Sequence, residues 1–254
     1  MWEVTLPTRS LCSTQSRKGF GHEAPRSRAI TKQIHSHTNN LSAICRLSYS
    51  LAFSFEGCNA TQSCWFHPPN CNANERGKCI SGVRWYMEPD GLRIQLQTHV
   101  NDLDPHRPAY AALGFSYNQR MDDDTVVECV QPLQGQPGQV RVSFNDETFN
   151  NVLHQASSVL LEGGSVTMED GVLKCDMKLL LDNIGLVSND SKFMIHDLEA
   201  RPYYLLFARG NADPWTLEKD IHSVNDNPQF PWMTEEMVGA LYAFGKNDLL
   251  TMQQ

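Results

Sequence analysis

The sequence predicts an all-β domain, a β-sandwich or barrel, on three observations. Seven or more short apolar runs recur between residues 83 and 209. The segments between them carry hairpin chemistry, Glu88-Pro89-Asp90-Gly91 and Asp170-Gly171. At 254 residues there is room for one large all-β domain, or for two small ones.

Each element follows from its own pattern. Val83 to Met87 and Leu92 to Val100 flank the first turn, and Ile94, Leu96 and Thr98 alternate with Gln95, Gln97 and His99, giving one buried and one wet face. Tyr110–Tyr117 and Thr125–Gln131 form the next pair, and Gln139–Phe144 follows a Gly-rich turn. Residues 147–161 lack a clean period and read as loop, strand or short helix. Ser165–Glu169 and Val172–Leu181 make the second hairpin, and Arg201–Arg209 is an apolar strand that breaks at Gly210. Thr234 to Ala243 has an N-cap threonine and Glu235-Glu236 in its first turn, which predicts a short helix. The organisation expected is therefore a disordered or wrongly assigned segment at 1–50, a disulfide-stapled cap at 51–80, a β-sandwich at 81–230 and a short helix with its tail at 231–254.

Charge and cysteines bound the setting. Residues 1–50 hold seven of the 21 Lys/Arg and two of the 29 Asp/Glu, so the rest carries 14 basic and 27 acidic groups, a net charge of −13. An acidic body lacks the basic footprint that nucleic acid needs. No run of 18 apolar residues exists to span a membrane as a helix. Four of the eight cysteines, Cys58, Cys64, Cys71 and Cys79, are spaced too widely and evenly for zinc, and two local disulfides are the better reading. Sequons at Asn40, Asn59 and Asn189 fit an extracytoplasmic chain, with Asn59 and Asn189 as the glycosylation candidates. Met1 to Asn40 is Ser/Thr/Arg-rich and lacks the basic-then-apolar order of a signal peptide; superficially it is similar to a mitochondrial transit peptide.

The segment Tyr110 to Cys129 is the most informative. It reads as an apolar strand, a polar turn bearing Met121, and a second apolar strand. Ala111, Ala112 and Gly114 let another backbone or a flat ligand approach closely. A thioether beside a polar loop suits haem iron. Clustered carboxylates at Asp122-Asp123-Asp124 are hard oxygen donors for calcium, but they lack a spaced ligand ladder and read as a solvated turn. No G-x-S-x-G elbow, phosphate-cradling glycine loop or H-E-x-x-H motif is present, so hydrolase and transferase signals are missing.

Gly114-Phe115-Ser116-x4-Met121-x2-Asp124, with Val126-Val127-Glu128-Cys129, resembles the core motif of DOMON domains. More narrowly, the Cys-rich lead-in, the acidic turn, Cys175 within Gly171-Val-Leu-Lys-Cys, and the Tyr203–Gly210 run resemble the DOMON module of animal ferric-chelate reductase-like proteins, over about residues 56–228. The resemblance implies an immunoglobulin-like antiparallel sandwich and a bridge between Cys129 and Cys175. It also implies b-type haem held by one Met and one His. By motif match the Met is Met121 and the His is His222; the family's histidine usually lies two residues nearer Gly210, where Asp220 stands, and a small insertion around Asp213-Pro214-Trp215 restores the register. His196 is the alternative ligand.

A Met/His pair closes both axial positions, so such a haem passes electrons and does not activate dioxygen. The expectation is a lumenal or extracellular electron-transfer or binding module, not a stand-alone enzyme, whose partner is a transmembrane b-type cytochrome. The rival is a haem-free interaction module in assembly or trafficking of a membrane receptor complex, with the acidic face as docking surface. A third is recognition of a sugar or catechol-like ligand.

Overall fold

The computed structural model describes residues 57–58, 60–69, 71, 79–133, 135–222 and 232–239. The predictions for residues 1–50, including Cys12, Cys45 and Asn40, and the sequon at Asn59 lie outside them. In chain order the strands are β1 (Ser63–His67), β2 (Ser81–Glu88), β3 (Gly91–His99), β4 (Ala109–Ser116), β5 (Asp124–Gln131), β6 (Gln139–Asp146), β7 (Phe149–Val152), β8 (Leu161–Glu169), β9 (Val172–Leu179), β10 (Tyr204–Asn211) and β11 (Trp232–Met233). Helix α1 (His154–Leu160) precedes β8, and a 3-10 turn (Leu181–Leu186) and helix α2 (Asn189–Lys192) lie between β9 and β10.

The strands form two antiparallel sheets, a five-stranded one ordered β1-β2-β3-β9-β8 and a six-stranded one ordered β11-β10-β4-β5-β6-β7. They are separate sheets packed as a sandwich, which decides against a barrel. Local chemistry explains the hairpins. Asp170 and Gly171 both take positive φ, 51° and 72°, the signature of the tight turn whose twist matches its strands. At the β2–β3 turn, a Cβ on Gly91 would stand 2.5 Å from the Leu179 carbonyl, so only glycine lets β9 approach. Alternation then sorts the faces: Ile94, Leu96, Cys175 and Met177 of the first sheet meet Leu113, Phe115, Val127 and Phe207 of the second in one core. The Cys129–Cys175 disulfide crosses that core with its Cα atoms 6.2 Å apart.

Three regions differ from expectation. Part of the cap, for which no strand was expected, pairs as β1 along the β2 edge, with Cys58–Cys64 and Cys71–Cys79 stapling the segments around it. The ambiguous stretch 147–161 resolves into β7 and α1, and β8 begins at Leu161. The predicted helix from Thr234 does not form over its described part. Thr234 N–H donates to the Leu205 carbonyl, the Leu205 N–H donates to the Thr234 hydroxyl, and Val238 exchanges both backbone bonds with Tyr203. The open edge of β10 captures this segment because pairing satisfies donors and acceptors that a short exposed helix would leave wet. No helix among the described residues is long and apolar enough to cross a membrane. The three disulfides suggest an oxidising compartment.

Candidate functional site on the outer face of the second sheet

The second sheet has two used faces. Residues alternate to its outer side at Tyr110, Ala112, Val126 and Val130, which form a second, smaller apolar cluster with Ala212 and Leu217. Gly114 belongs to this strip, since a Cβ there would touch Leu206 and Val126 in ordinary van der Waals contact. The strip is flat because Ala112, Gly114 and Ala208 have little or no side chain. This is the close-approach surface that the small residues in β4 suggested.

A buried polar row lies beside it. Glu128, fully buried, pairs with Arg141 at 2.9 Å, accepts a hydrogen bond from Ser143 Oγ at 2.6 Å, and is paired with Lys219. Asn150 Nδ2 donates to Ser143 Oγ and to Asn145 Oδ1, and Asn145 Nδ2 donates to Asp124 Oδ2 at 3.0 Å. Burial raises Asp124 to about 6. Burial lowers Lys219 to about 7, so its charged form depends on the Glu128 carboxylate beside it.

Lys219 comes from the loop that follows β10 and folds back over this face. The Asp213 carboxylate accepts N–H bonds from Trp215 and Thr216, Leu217 turns with φ 59°, and the Asp213 N–H donates to the Glu218 carbonyl. Arg107 pairs with Asp220 at 2.6 Å, and the Tyr110 hydroxyl donates to the Asp220 carbonyl at 3.2 Å. The Tyr110 ring reaches that carbonyl by lying over Gly210, where a Cβ would come within 2.9 Å of the ring. His222 follows two residues later. Its Nδ1 is buried without a hydrogen-bond partner among the described residues, and burial, with the nearby Lys219 charge, lowers its pKa. The imidazole is therefore neutral near pH 7, the form that ligates metal.

Met121 belongs to the opposite end of the same ladder. It sits half-buried in the β4–β5 turn, where Asn118 N–H donates to Ser116 Oγ, Ser116 Oγ donates to the Arg120 carbonyl and Asn118 Nδ2 donates to Asp122. Lys219 reaches over the sheet as far as Glu128, whose partner on β4 is Ala112. From Ala112 to Ser116 the ladder covers about 13 Å. The structure thus brings Met121 and the His222 loop to one sheet from its two ends, not to one point.

His196 lies at the Met121 end and is already engaged. Its Nδ1 is 3.0 Å from the Phe115 carbonyl, its ring also faces the Asp123 backbone, and its own N–H donates to Thr125 Oγ1 at 2.7 Å. The ring stacks on Tyr117 at 4.2 Å and on Tyr203 at 5.6 Å, and Arg201 covers Tyr117 at 3.5 Å. This makes His196 a structural clasp between β4 and the segment before β10. The acidic turn disperses: Asp122 faces Asn118 and Asp124 faces Asn145. Among the described residues no three His, Cys, Asp or Glu side chains converge as a metal site.

Donor types suited to haem are present, a buried imidazole nitrogen and a thioether, but they stand at opposite ends of an apolar strip that is itself buried, so as placed they do not meet at one iron. The Glu128–Arg141–Lys219 cluster was not anticipated from the sequence. Its one signal was a carboxylate at an outward position within the apolar run Val126-Val127-Glu128-Cys129. No protein-family model, no curated protein and no solved structure matches this chain.

Proposed function

We propose that this chain is an extracytoplasmic DOMON module that binds b-type haem against the outer face of its second sheet and relays single electrons to a partner such as a transmembrane b-type cytochrome. The observation that carries the reading is His222 Nδ1, buried and without a hydrogen-bond partner among the described residues, on a loop folded over a strip of small residues. A buried polar atom without a partner costs about 1–3 kcal/mol, which ligand binding recovers. Bound there, haem supplies a one-electron iron couple, tuned towards the ferrous state by a thioether.

The chain's own residues do the holding. Ala112, Gly114 and Ala208 provide the flat wall, Lys219 and Arg141 anchor the loop through Glu128 and the Leu217 carbonyl, and burial keeps His222 neutral. Met121 and His222 are the residues proposed to hold the iron, which would require the β4–β5 turn and the loop after β10 to close towards one another. The test is the visible spectrum of the full chain, expressed in an oxidising host and reconstituted with haem, before and after dithionite. Sharp α and β bands on reduction, lost in Met121→Ala and in His222→Ala, are expected. A folded protein that stays colourless would overturn the reading.

A second reading, the haem-free interaction module, is favoured by a specific observation. Trp215 and Ile221 are each 90% exposed on the braced loop after β10, beside the acidic Asp213, Glu218 and Asp220. Tryptophan is enriched among the residues that dominate binding energy at interfaces. A colourless protein whose binding to a membrane receptor complex is lost in Trp215→Ala would establish this alternative.

A further inference from the structure

We infer that Asn189 carries an N-linked glycan, and that the glycan covers the exposed ring of Phe193. Independent observations converge on this spot. Asn189-Asp190-Ser191 is a sequon, and Asn189 is exposed at the first position of α2. Phe193 continues the helical backbone with φ −71° and ψ −14°. Asn189 and Phe193 therefore stand four residues apart on one helical face, with their Cβ atoms about 5–6 Å apart. Phe193 is 71% exposed.

The backbone around Asn189 and Phe193 is braced. Gln155 accepts from the Ser188 N–H at 3.0 Å and donates to the Leu186 carbonyl at 3.4 Å. Lys192 N–H donates to the Ser188 carbonyl at 2.9 Å, and Thr125 Oγ1 donates to the Met194 carbonyl at 2.8 Å. An exposed aromatic ring four residues from the sequon on the same helical face is within reach of a sugar on Asn189. Here the cover is written into the same turn. The apolar face of the first sugar and its acetamido methyl lie over Phe193, while the hydroxyls stay in water.

The chemistry balances with a lipid-linked oligosaccharyl diphosphate as donor. A bond forms between Asn189 Nδ2 and the anomeric carbon, and the anomeric carbon–oxygen bond breaks. The lipid diphosphate leaves with the electron pair, and the amide nitrogen loses one proton. The oxidising compartment suggested by the disulfides is where this donor works, and the exposed helix start leaves the sandwich core untouched by the modification.

The test uses the full chain secreted from a glycosylating eukaryotic host. Peptide N-glycosidase treatment in heavy-oxygen water, followed by peptide mass spectrometry, reports Asn189 separately from Asn59. The Asn189 peptide is expected to convert to labelled aspartate, to lose the label in Ser191→Ala, and to keep it in Ser191→Thr. Native deglycosylation is expected to raise binding of an apolar fluorescent dye severalfold, and Phe193→Ser to abolish that rise. An unmodified Asn189 peptide in secreted, disulfide-bonded protein overturns the site. A modified Asn189 with no change in dye binding overturns the covering role.

Discussion

At the residue scale, buried ionisable groups set opposing pH dependences. Burial raises Asp124 to about 6, above its ordinary 3.8, so the folded state takes up a proton between pH 6 and pH 4 and this group stabilises as pH falls there. His196 and His222 are lowered from 6.5 by burial, and His67 is lowered to about 4. Their contributions are complete above pH 6.5 and are lost as pH falls through the folded values. The two effects oppose each other across the same window. Asp124→Asn, which keeps an oxygen for Asn145 Nδ2, is expected to steepen the loss of stability between pH 6 and pH 4 by up to about 2–3 kcal/mol and to leave the protein as stable or more so at pH 8. Urea midpoints measured from pH 4 to pH 8 read this out; an unchanged profile would show that Asp124 does not titrate with folding. A second residue-scale expectation concerns Gly210, where a Cβ would meet the Tyr110 ring at 2.9 Å. Gly210→Ala is expected to cost about 1–3 kcal/mol by displacing that ring from the Asp220 carbonyl. Tyr110→Phe, which removes only the hydrogen bond, should cost nearer 1 kcal/mol by the same denaturation assay.

At the element scale, two short added strands cover one edge of each sheet. β1 lies on β2, and β11 with the bridge at Val238 lies on β10. Trp232 ties these additions together, stacking on His67 at 3.8 Å and on Phe207 at 5.1 Å. Covering an edge removes a template for aggregation. Trp232→Ala is therefore expected to lower stability by about 3–5 kcal/mol and to expose β10. Faster amide exchange at Leu205 and Phe207 would report the opened edge, whereas exchange unchanged at these two positions would show that β11 does not protect it.

At the whole-molecule scale, one covalent link among the described residues joins the sheets. Cys129–Cys175 closes a 46-residue separation across the core, and the other two disulfides close separations of only 6 and 8 residues near β1. In the chain-entropy model the long loop contributes about 3–4 kcal/mol and the short ones less. The double variant Cys129→Ala/Cys175→Ala should lose that amount in equilibrium unfolding, and the double variant at Cys58 and Cys64 distinctly less. An equal loss in both would show that strain or residual structure, not loop length, governs the effect.

The strands of the central hairpins and their faces were legible from residues alone, because they follow from local physics. The alternation of Ile94, Leu96 and Thr98 with Gln95, Gln97 and His99 follows from a side-chain period of two, and Asp170-Gly171 from the positive φ that its turn requires. So were the presence of two local disulfides in the cap, though not which cysteines pair, and the close-approach character of Ala112 and Gly114; the Cys129–Cys175 bridge came only as what the resemblance implied. The sequence did not show what lies over the second sheet. Lys219 meets Glu128 across 91 positions, and Thr234 and Val238 leave a helical pattern to pair with β10. Periodicity says which side chains share a face, but not which distant segment covers it or which open edge captures a strand. Those choices belong to the tertiary structure, where burying Glu128 demands its cation and an unpaired β10 edge demands backbone partners.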